Sequence, residues 1–383
     1  MRIVYVPLEP YKERYTCQLS APIIGWLESR WIENSVPYIR IEGQSLNKEI
    51  KTGSVLDACG RGYWCNSQIM KILRLLNNQE INSNDCIYFD DFWHPGIEAL
   101  SYAFHLTGIK PKMFAMLHAQ SIDIFDFTYP MRYWMRYFEK GIGKILDGIF
   151  VTSTCLKDLC LYHNVGNENN VFLCGLPYNS NEVLSHLSKR EIDEAFQYRK
   201  ENKQVIFTSR WDKEKCPNFF LETIHMVMRE RKDIKFVITT SARELRSNDP
   251  ILLHCLNNYL NKYPENIVLK VNLTKEGYYK ELVKSRIQIN TSDQDFVSWT
   301  LLEATTWGCR PLYPYFLSFP EVLPNDFMYR KNDLFSAALE IVTHIDQVPN
   351  LKDFDWVYHQ FDWSWKRMLD VMQTGIMEYP LYA

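Results

Sequence analysis

Residues 287–314 read IQINTSDQDFVSWTLLEATTWGCRPLYP: a short apolar strand, a polar loop, a helix closed by Gly308, and a second short strand. Strand, helix, strand in immediate succession is the unit of a parallel α/β sheet, because two parallel strands need a crossover connection between them. The same alternation begins at Arg2 (RIVYVP), recurs at Cys86–Phe89, Met113–Ser121, Asp147–Ser153 and Asn170–Pro177, and restarts at Gln204 (QVIFTSR). The expected fold is therefore α/β, with two Rossmann-like domains. Residues 1–185 form the first and 204–350 the second. Residues 186–203 are a charged, partly helical linker, and 351–383 are C-terminal helices packing back on the body. A helix is expected over Ser67–Leu76 after a glycine-bearing loop, ACGRGYWCN. Further helices are expected over Pro250–Lys262, Lys275–Lys284 and Ser298–Trp307.

Composition narrows the function classes. The 383 residues are 46% hydrophobic and 23% charged, which suits a globular chain of two domains. A net charge of −3 argues against bulk electrostatic wrapping of nucleic acid, while leaving room for a local basic strip. No stretch is apolar enough for a membrane span, and Met1 leads directly into a strand. The 10 cysteines show no CxxC pair, so a reducing cytoplasm is the expected home.

Chemistry-bearing residues gather after strands. The first strand is followed by LEPYKERYTCQL, without glycine, so the dinucleotide fingerprint is absent there; Glu9, Arg14, Tyr15 and Thr16 offer polar contacts to an acceptor, or pair among themselves. Asp90, Asp91 and His94 follow the strand ending at Phe89. They read as an acceptor-side cluster, as a metal cluster, or as an Asp cap beside a packed histidine. His118 ends another strand and is either a ligand or base, or a satisfied structural histidine. The helix MRYWMRYFEKGIGKIL carries Arg132, Arg136 and Lys140 among aromatics: an acceptor-phosphate face, or a solvated one. In the second half, Ser209 and Arg210 end a strand and Lys215 follows five residues later, beside an approaching helix start. Two cations and free N–H groups suit a diphosphate; alternatively both pair with Asp212 and Glu214. Asp295 precedes the helix that carries Thr300, Leu301 and Glu303, at the strand ends where ligands of such sheets sit. The competing reading is a solvated loop aspartate and a backbone-bonded glutamate.

Those motifs resemble the large retaining GT-B glycosyltransferase family that includes glycogen/sucrose-type and lipopolysaccharide hexosyltransferases, often called the family 4-like group. The resemblance rests on TSRWDKEK, then on Asp295, FVSWTLL, Glu303 and ATTWGCRP. It is strong from Gln204 to Pro314 and weak before Phe89. It implies two Rossmann-like domains with sheets facing across a cleft. It also implies a nucleotide-diphosphate sugar donor (UDP- or GDP-sugar), no further cofactor and no metal. By the same resemblance Arg210 and Lys215 clamp the diphosphate, Glu303 meets the ribose, and Asp295 and His118 lie near the sugar. Gly175-Leu176-Pro177 resembles the family's Asn-Gly turn. The chain departs from the pattern: Asp295 replaces a glutamate, Ser298 a glycine, and Gly308 and Pro311 are one residue further apart. The Gly-rich N-terminal loop is missing, and Trp211 and Trp299 add bulk near the donor.

Several readings stay open. The acceptor is a small hydroxyl compound, a hydroxymethylated base in DNA as in viral DNA-modifying glucosyl- or pentosyltransferases, or a tRNA base. An epimerase or hydrolase would instead pair Asp90 or Asp91 with His94 or His118 as a base. A non-catalytic sugar-nucleotide binder is the remaining alternative. The chain is expected to act as a monomer or homodimer.

Overall fold

The computed structural model describes residues 1–9, 15–28, 36–46, 58–118, 121–247 and 249–375. The chain divides into two units, Met1–Tyr178 with Trp363–Ala383, and Asn179–Asp362.

The first unit is built on six parallel strands: β1 Ile3–Val6, β2 Tyr38–Arg40, β3 Cys86–Phe89, β4 Lys112–Met116, β5 Gly148–Val151 and β6 Val171–Leu173. Their order is β2-β1-β3-β4-β5-β6. The runs IVYV, CIYF and GIFV are buried throughout, as central strands covered on both faces must be. The connecting helices are α1 Tyr15–Leu27, α2 Ala58–Asn77, α3 Ile97–Thr107, α4 Arg132–Ile145 and α5 Thr154–His163. On one face Tyr5 stacks on Tyr88, and Trp365 from the C-terminal helix meets Tyr88 edge-on at 5.4 Å and stacks on Trp26. That aromatic column is what draws the last helix back to the first unit.

One expected element is corrected here. The glycine-bearing stretch before Ser67 is not a loop: α2 begins at Ala58, with Gly60 and Gly62 inside it. Trp64, Cys65, Ile69, Ile72 and Leu76 are buried along it, and tertiary packing of that stripe outweighs the cost of two glycines. The expected strand at Ser54–Asp57 lies outside the described residues.

The second unit opens with α6 Ser180–Leu184 and α7 Lys189–Glu201, followed by β7 Lys203–Phe207 and α8 Pro217–Met228. It continues through β8 Ile234–Thr239, α9 Pro250–Lys262, β9 Ile267–Lys270, α10 Lys275–Lys284, β10 Ile287–Ile289 and α11 Trp299–Thr306. Next come β11 Arg310–Pro314, α12 Phe319–Val322, β12 Met328–Tyr329, α13 Leu334–His344 and α14 Asp355–His359; α15, Ser364–Thr374, is the helix that carries Trp365. The sheet order is β12-β11-β10-β7-β8-β9, all parallel. The strand order reverses between β7 and β10. In such sheets the loops that leave the carboxyl ends on either side of that reversal form the natural ligand crevice.

Residues 186–203 contain α7, which begins with a reciprocal cap between Ser188 and Glu191 and belongs to the second unit. Near its end Arg199 is wholly buried, and its guanidinium donates to five carbonyls: Leu282, Val283, Trp307, Gly308 and Pro349.

Candidate functional site

At the strand-order reversal of the second unit, the loops after β7 and β10 are zipped together. After β7 the chain passes Thr208, Ser209 and Arg210; Trp211 then turns inward, is buried, and donates its indole N–H to the Leu252 carbonyl at 3.1 Å. It anchors the loop from below and adds no bulk to an open pocket, which corrects the expectation made for it. A single turn, Lys213–Lys215, leads to Cys216 in a left-handed conformation (φ +47°), and Pro217 starts α8.

Side-chain and backbone contacts join this turn to the β10 loop. The Lys215 Nζ donates to the Gln294 carbonyl at 2.6 Å and lies 3.7 Å from the Asp295 carboxylate. The Asp293 N–H donates to the Glu214 carbonyl at 2.8 Å, and the Thr291 hydroxyl to the Lys215 carbonyl at 2.7 Å. Arg210 is more exposed and pairs with Glu214 at 2.6 Å and Asp212 at 3.3 Å. A third cation enters from beyond β12: the Lys331 Nζ binds the Asp293 carboxylate at 2.6 Å and the Ser292 carbonyl at 2.9 Å. Cys216 donates its thiol to the other Asp293 oxygen, and burial with that acidic neighbour pushes the thiol up to about 12.

Glu303 lies in the second turn of α11, buried. One of its oxygens accepts from the Lys275 Nζ at 2.8 Å and from Tyr279 at 3.1 Å, and the other from Tyr278 at 3.1 Å. The neighbouring Leu301 side chain is in the core, and its N–H already meets the Ser298 carbonyl at 3.1 Å. Ser298, the cap residue of α11, bonds the Thr300 hydroxyl at 2.8 Å and makes no cap of its own.

A polar floor underlies these loops that the motif reading missed. Gln288, Asn290, Ser292 and Tyr313 are all buried, at or just past the carboxyl ends of β10 and β11. The Asn290 Nδ2 and Ser292 Oγ make no hydrogen bond with protein, and the Tyr313 hydroxyl faces Gln288, Ser298 and Thr300. Buried polar atoms of this kind call for a water or a ligand group. The alternation in IQIN, polar at every second place of a buried strand, is the signal from which two of them were legible.

In the first unit the sequence reversal falls between β1 and β3, and Asp90 stands at it. Its carboxylate is wholly buried; one oxygen accepts from the Tyr5 hydroxyl at 2.6 Å and from the Leu8 N–H at 3.4 Å. Burial pushes this carboxyl up to about 7, partly offset by those two bonds. Asp91 pairs with Arg61 of α2 at 2.7 Å and caps the Trp93 N–H. His94 donates its Nε2 to Gln68, whose own amide N–H groups are committed to the Pro7 and Ile41 carbonyls. Burial holds His94 neutral, down to about 3. Asp90, Asp91 and His94 thus take three different sets of partners. Among the described residues no group of three or more His, Cys, Asp or Glu could hold a metal. His118 bonds the Asp90 carbonyl through Nε2 at 2.7 Å, and burial lowers its basicity. Arg14 and the side chain of Tyr15 lie outside the described residues.

The fold of the whole chain is shared with solved glycosyltransferases. Sucrose-phosphate synthase from Thermosynechococcus elongatus superposes with a TM-score of 0.70 at 12% identity, over 97% of this chain and 98% of that one. HepE from Anabaena, solved with UDP, gives 0.65 at 9% identity, over 98% and 100%. This is the GT-B fold. No family model matches the chain. In sequence, it is 25% identical over 135 residues to a tRNA-queuosine alpha-mannosyltransferase of Drosophila melanogaster. That match spans 35% of this chain and 34% of the relative, about a third of its length. No described helix is long and apolar enough to cross a membrane.

Proposed function

We propose that the chain is a retaining glycosyltransferase moving a hexose from a UDP- or GDP-sugar to a hydroxyl of a modified base in RNA. The observation that carries the donor half is the gathering of three cations on the loops at the strand-order reversal of the second unit, Lys215 beside Asp295, Arg210 beside Glu214 and Lys331 beside Asp293, above a floor of buried polar groups. An incoming diphosphate would exchange places with the acids and carbonyls that now hold these cations. The C1–O bond to the diphosphate breaks with its electron pair going to the leaving oxygen, and Arg210 and Lys215 neutralise that charge. The acceptor oxygen attacks C1 on the face being vacated and passes its proton to a diphosphate oxygen. No protein nucleophile or base enters this step. Asp295 orients the sugar, and Glu303, held in the second turn of α11, meets the ribose.

The acceptor half is supported by the similarity to a tRNA-queuosine alpha-mannosyltransferase. A hydrolase or epimerase reading needs an Asp–His base, and the separate partners of Asp90, Asp91 and His94 speak against it. The test offers UDP- and GDP-hexoses with queuosine-bearing tRNA, hydroxymethylated DNA and simple glycosides, followed by mass analysis of digested nucleosides. A hexose added to a tRNA nucleoside with retained anomeric configuration is the expected result. Transfer only to DNA or glycosides would overturn the acceptor assignment, and sugar-nucleotide hydrolysis without transfer would overturn the transferase reading.

A further inference from the structure

Helix α4 presents a face that no part of the donor chemistry uses. Tyr133, Trp134 and Tyr137 are 73%, 48% and 64% exposed, although large aromatics are normally covered. Arg132, Arg136 and Lys144 are exposed as well, and Lys140 is half-buried. The single acid of the helix, Glu139, is turned inward and buried. It accepts from Trp93 at 3.1 Å and from the backbone and hydroxyl of Ser121 at 2.6 and 2.7 Å. The outward face of the helix therefore carries four cations and no carboxylate, on a chain whose net charge is −3.

The spacing matters as much as the composition. Arg132 and Arg136 are one turn apart, and so are Tyr133 and Tyr137, so cations and rings form two adjacent rows. Arg132 covers the Tyr129 ring at 4.3 Å and Arg136 the Tyr137 ring at 4.7 Å. The helix is held firmly from beneath: Glu139 ties it to the loops after β3 and β4, and a side chain at Gly143 would strike the Gly166 backbone. As the crossover from β4 to β5, α4 runs back from the carboxyl edge of the first sheet. Its aromatic first turns therefore lie toward the edge where Asp91 and His118 sit.

We infer that this face of α4 docks unpaired nucleotides of the acceptor RNA, the rings of Tyr133, Trp134 and Tyr137 stacking on bases while Arg132, Arg136 and Lys144 hold phosphates. The inference rests on the acceptor reading above. A membrane surface is the rival partner for a basic aromatic helix. It is less well matched, because the exposed rings of α4 are mainly hydroxyl-bearing and its aliphatic residues Met135 and Ile142 are in the core. Ile124 and Phe125, exposed in the preceding loop, are the features it would use.

The experiment measures binding of the full chain, without donor, to a labelled RNA hairpin with an unpaired loop, its fully paired duplex, a DNA hairpin of the same sequence, and phosphatidylserine-containing vesicles. Trp134→Ala with Tyr137→Ala should weaken the RNA hairpin about tenfold or more. Arg132→Gln with Arg136→Gln should reduce the salt slope by about 1.4, as expected for two single-strand phosphate contacts. Circular dichroism and melting should match wild type, since these side chains are exposed. Unchanged hairpin affinity in both variants, or vesicle binding lost in them while RNA binding persists, overturns the docking proposal. A duplex preference overturns it too. Hairpin binding lost as expected, in a protein that glycosylates no RNA, would leave the docking face standing and remove the acceptor reading.

Discussion

Lys215 and Arg210 carry the same charge in opposite circumstances. Lys215 is 12% exposed and already spans two loops through Gln294 and Asp295, whereas Arg210 is 51% exposed and pairs with Asp212 and Glu214 of its own turn. Arg210→Ala should lower kcat/KM by about a hundredfold, the scale of losing one donor to a developing oxyanion, with Tm nearly unchanged. Lys215→Met should lower kcat/KM at least as far and also reduce Tm, because the β10 loop loses its tether. Steady-state kinetics with calorimetry separate the two, and unaltered kcat/KM in both variants would reject the diphosphate assignment. Asp90 gives a different signal. Its carboxyl rises from 3.8 to about 7 on folding, mainly through burial. Below pH ~4 both states hold the proton; between ~4 and ~7 only the folded state does, so this group's contribution to stability falls as pH rises and is gone above 7. Melting Asp90→Asn beside wild type at pH 5 and pH 8 should therefore show the variant gaining relative stability at pH 8. Parallel melting curves at the two pH values would contradict the buried neutral acid. Neither behaviour was legible locally: DDFWH looks like one cluster until the sheet sends Asp90 beneath it and Asp91 toward Arg61.

Helix α7 shows how an element can mislead when judged by charge. KREIDEAFQYRKE is polar enough to read as a connector, yet Arg199 is the keystone that satisfies carbonyls at the ends of α10 and α11 and beyond. Burial lowers its basicity to about 10, and no carboxylate is among its hydrogen-bond partners. Arg199→Met leaves five carbonyls short of donors, which at 1–3 kcal/mol for a buried unmet group places the loss at about 4 kcal/mol or more. Thermal unfolding should drop by on the order of 10 °C, and Arg199→Lys should recover little, because three rotatable donors cannot replace a five-donor fork. A Tm within two or three degrees of wild type, on the same order-of-magnitude scale, would show those bonds to be incidental. Gly308 ends α11 at φ +63°, where a Cβ would meet the Asn350 carbonyl and Leu351. Other boundaries were plainly written: α9 and α10 run as expected because Asp249 and Thr274 cap their first turns. The start of α2 was not, since glycine signals a turn wherever packing does not overrule it.

Across the whole chain, charge is distributed by task. Three cations gather on the loops after β7 and β12 beside the β10 loop and four lie on α4, against an overall −3. If Arg210, Lys215 and Lys331 neutralise the leaving diphosphate, transfer should survive excess EDTA; complete loss restored by Mg²⁺ or Mn²⁺ would assign that task to a metal instead. The sequence by itself determined the alternation of strand and helix, the restart near residue 204, and the chemical types at each strand end. These depend on local periodicity, capping and residue chemistry, which a linear string contains. The tertiary structure alone decided which strand ends are neighbours. Parallel pairing of β7 with β10 brings Lys215 to Gln294, 79 positions away, adds Lys331, and turns Gln288, Asn290 and Tyr313 into a floor. Such pairings are chosen by how buried faces fit across the sheet, and no local pattern encodes that choice.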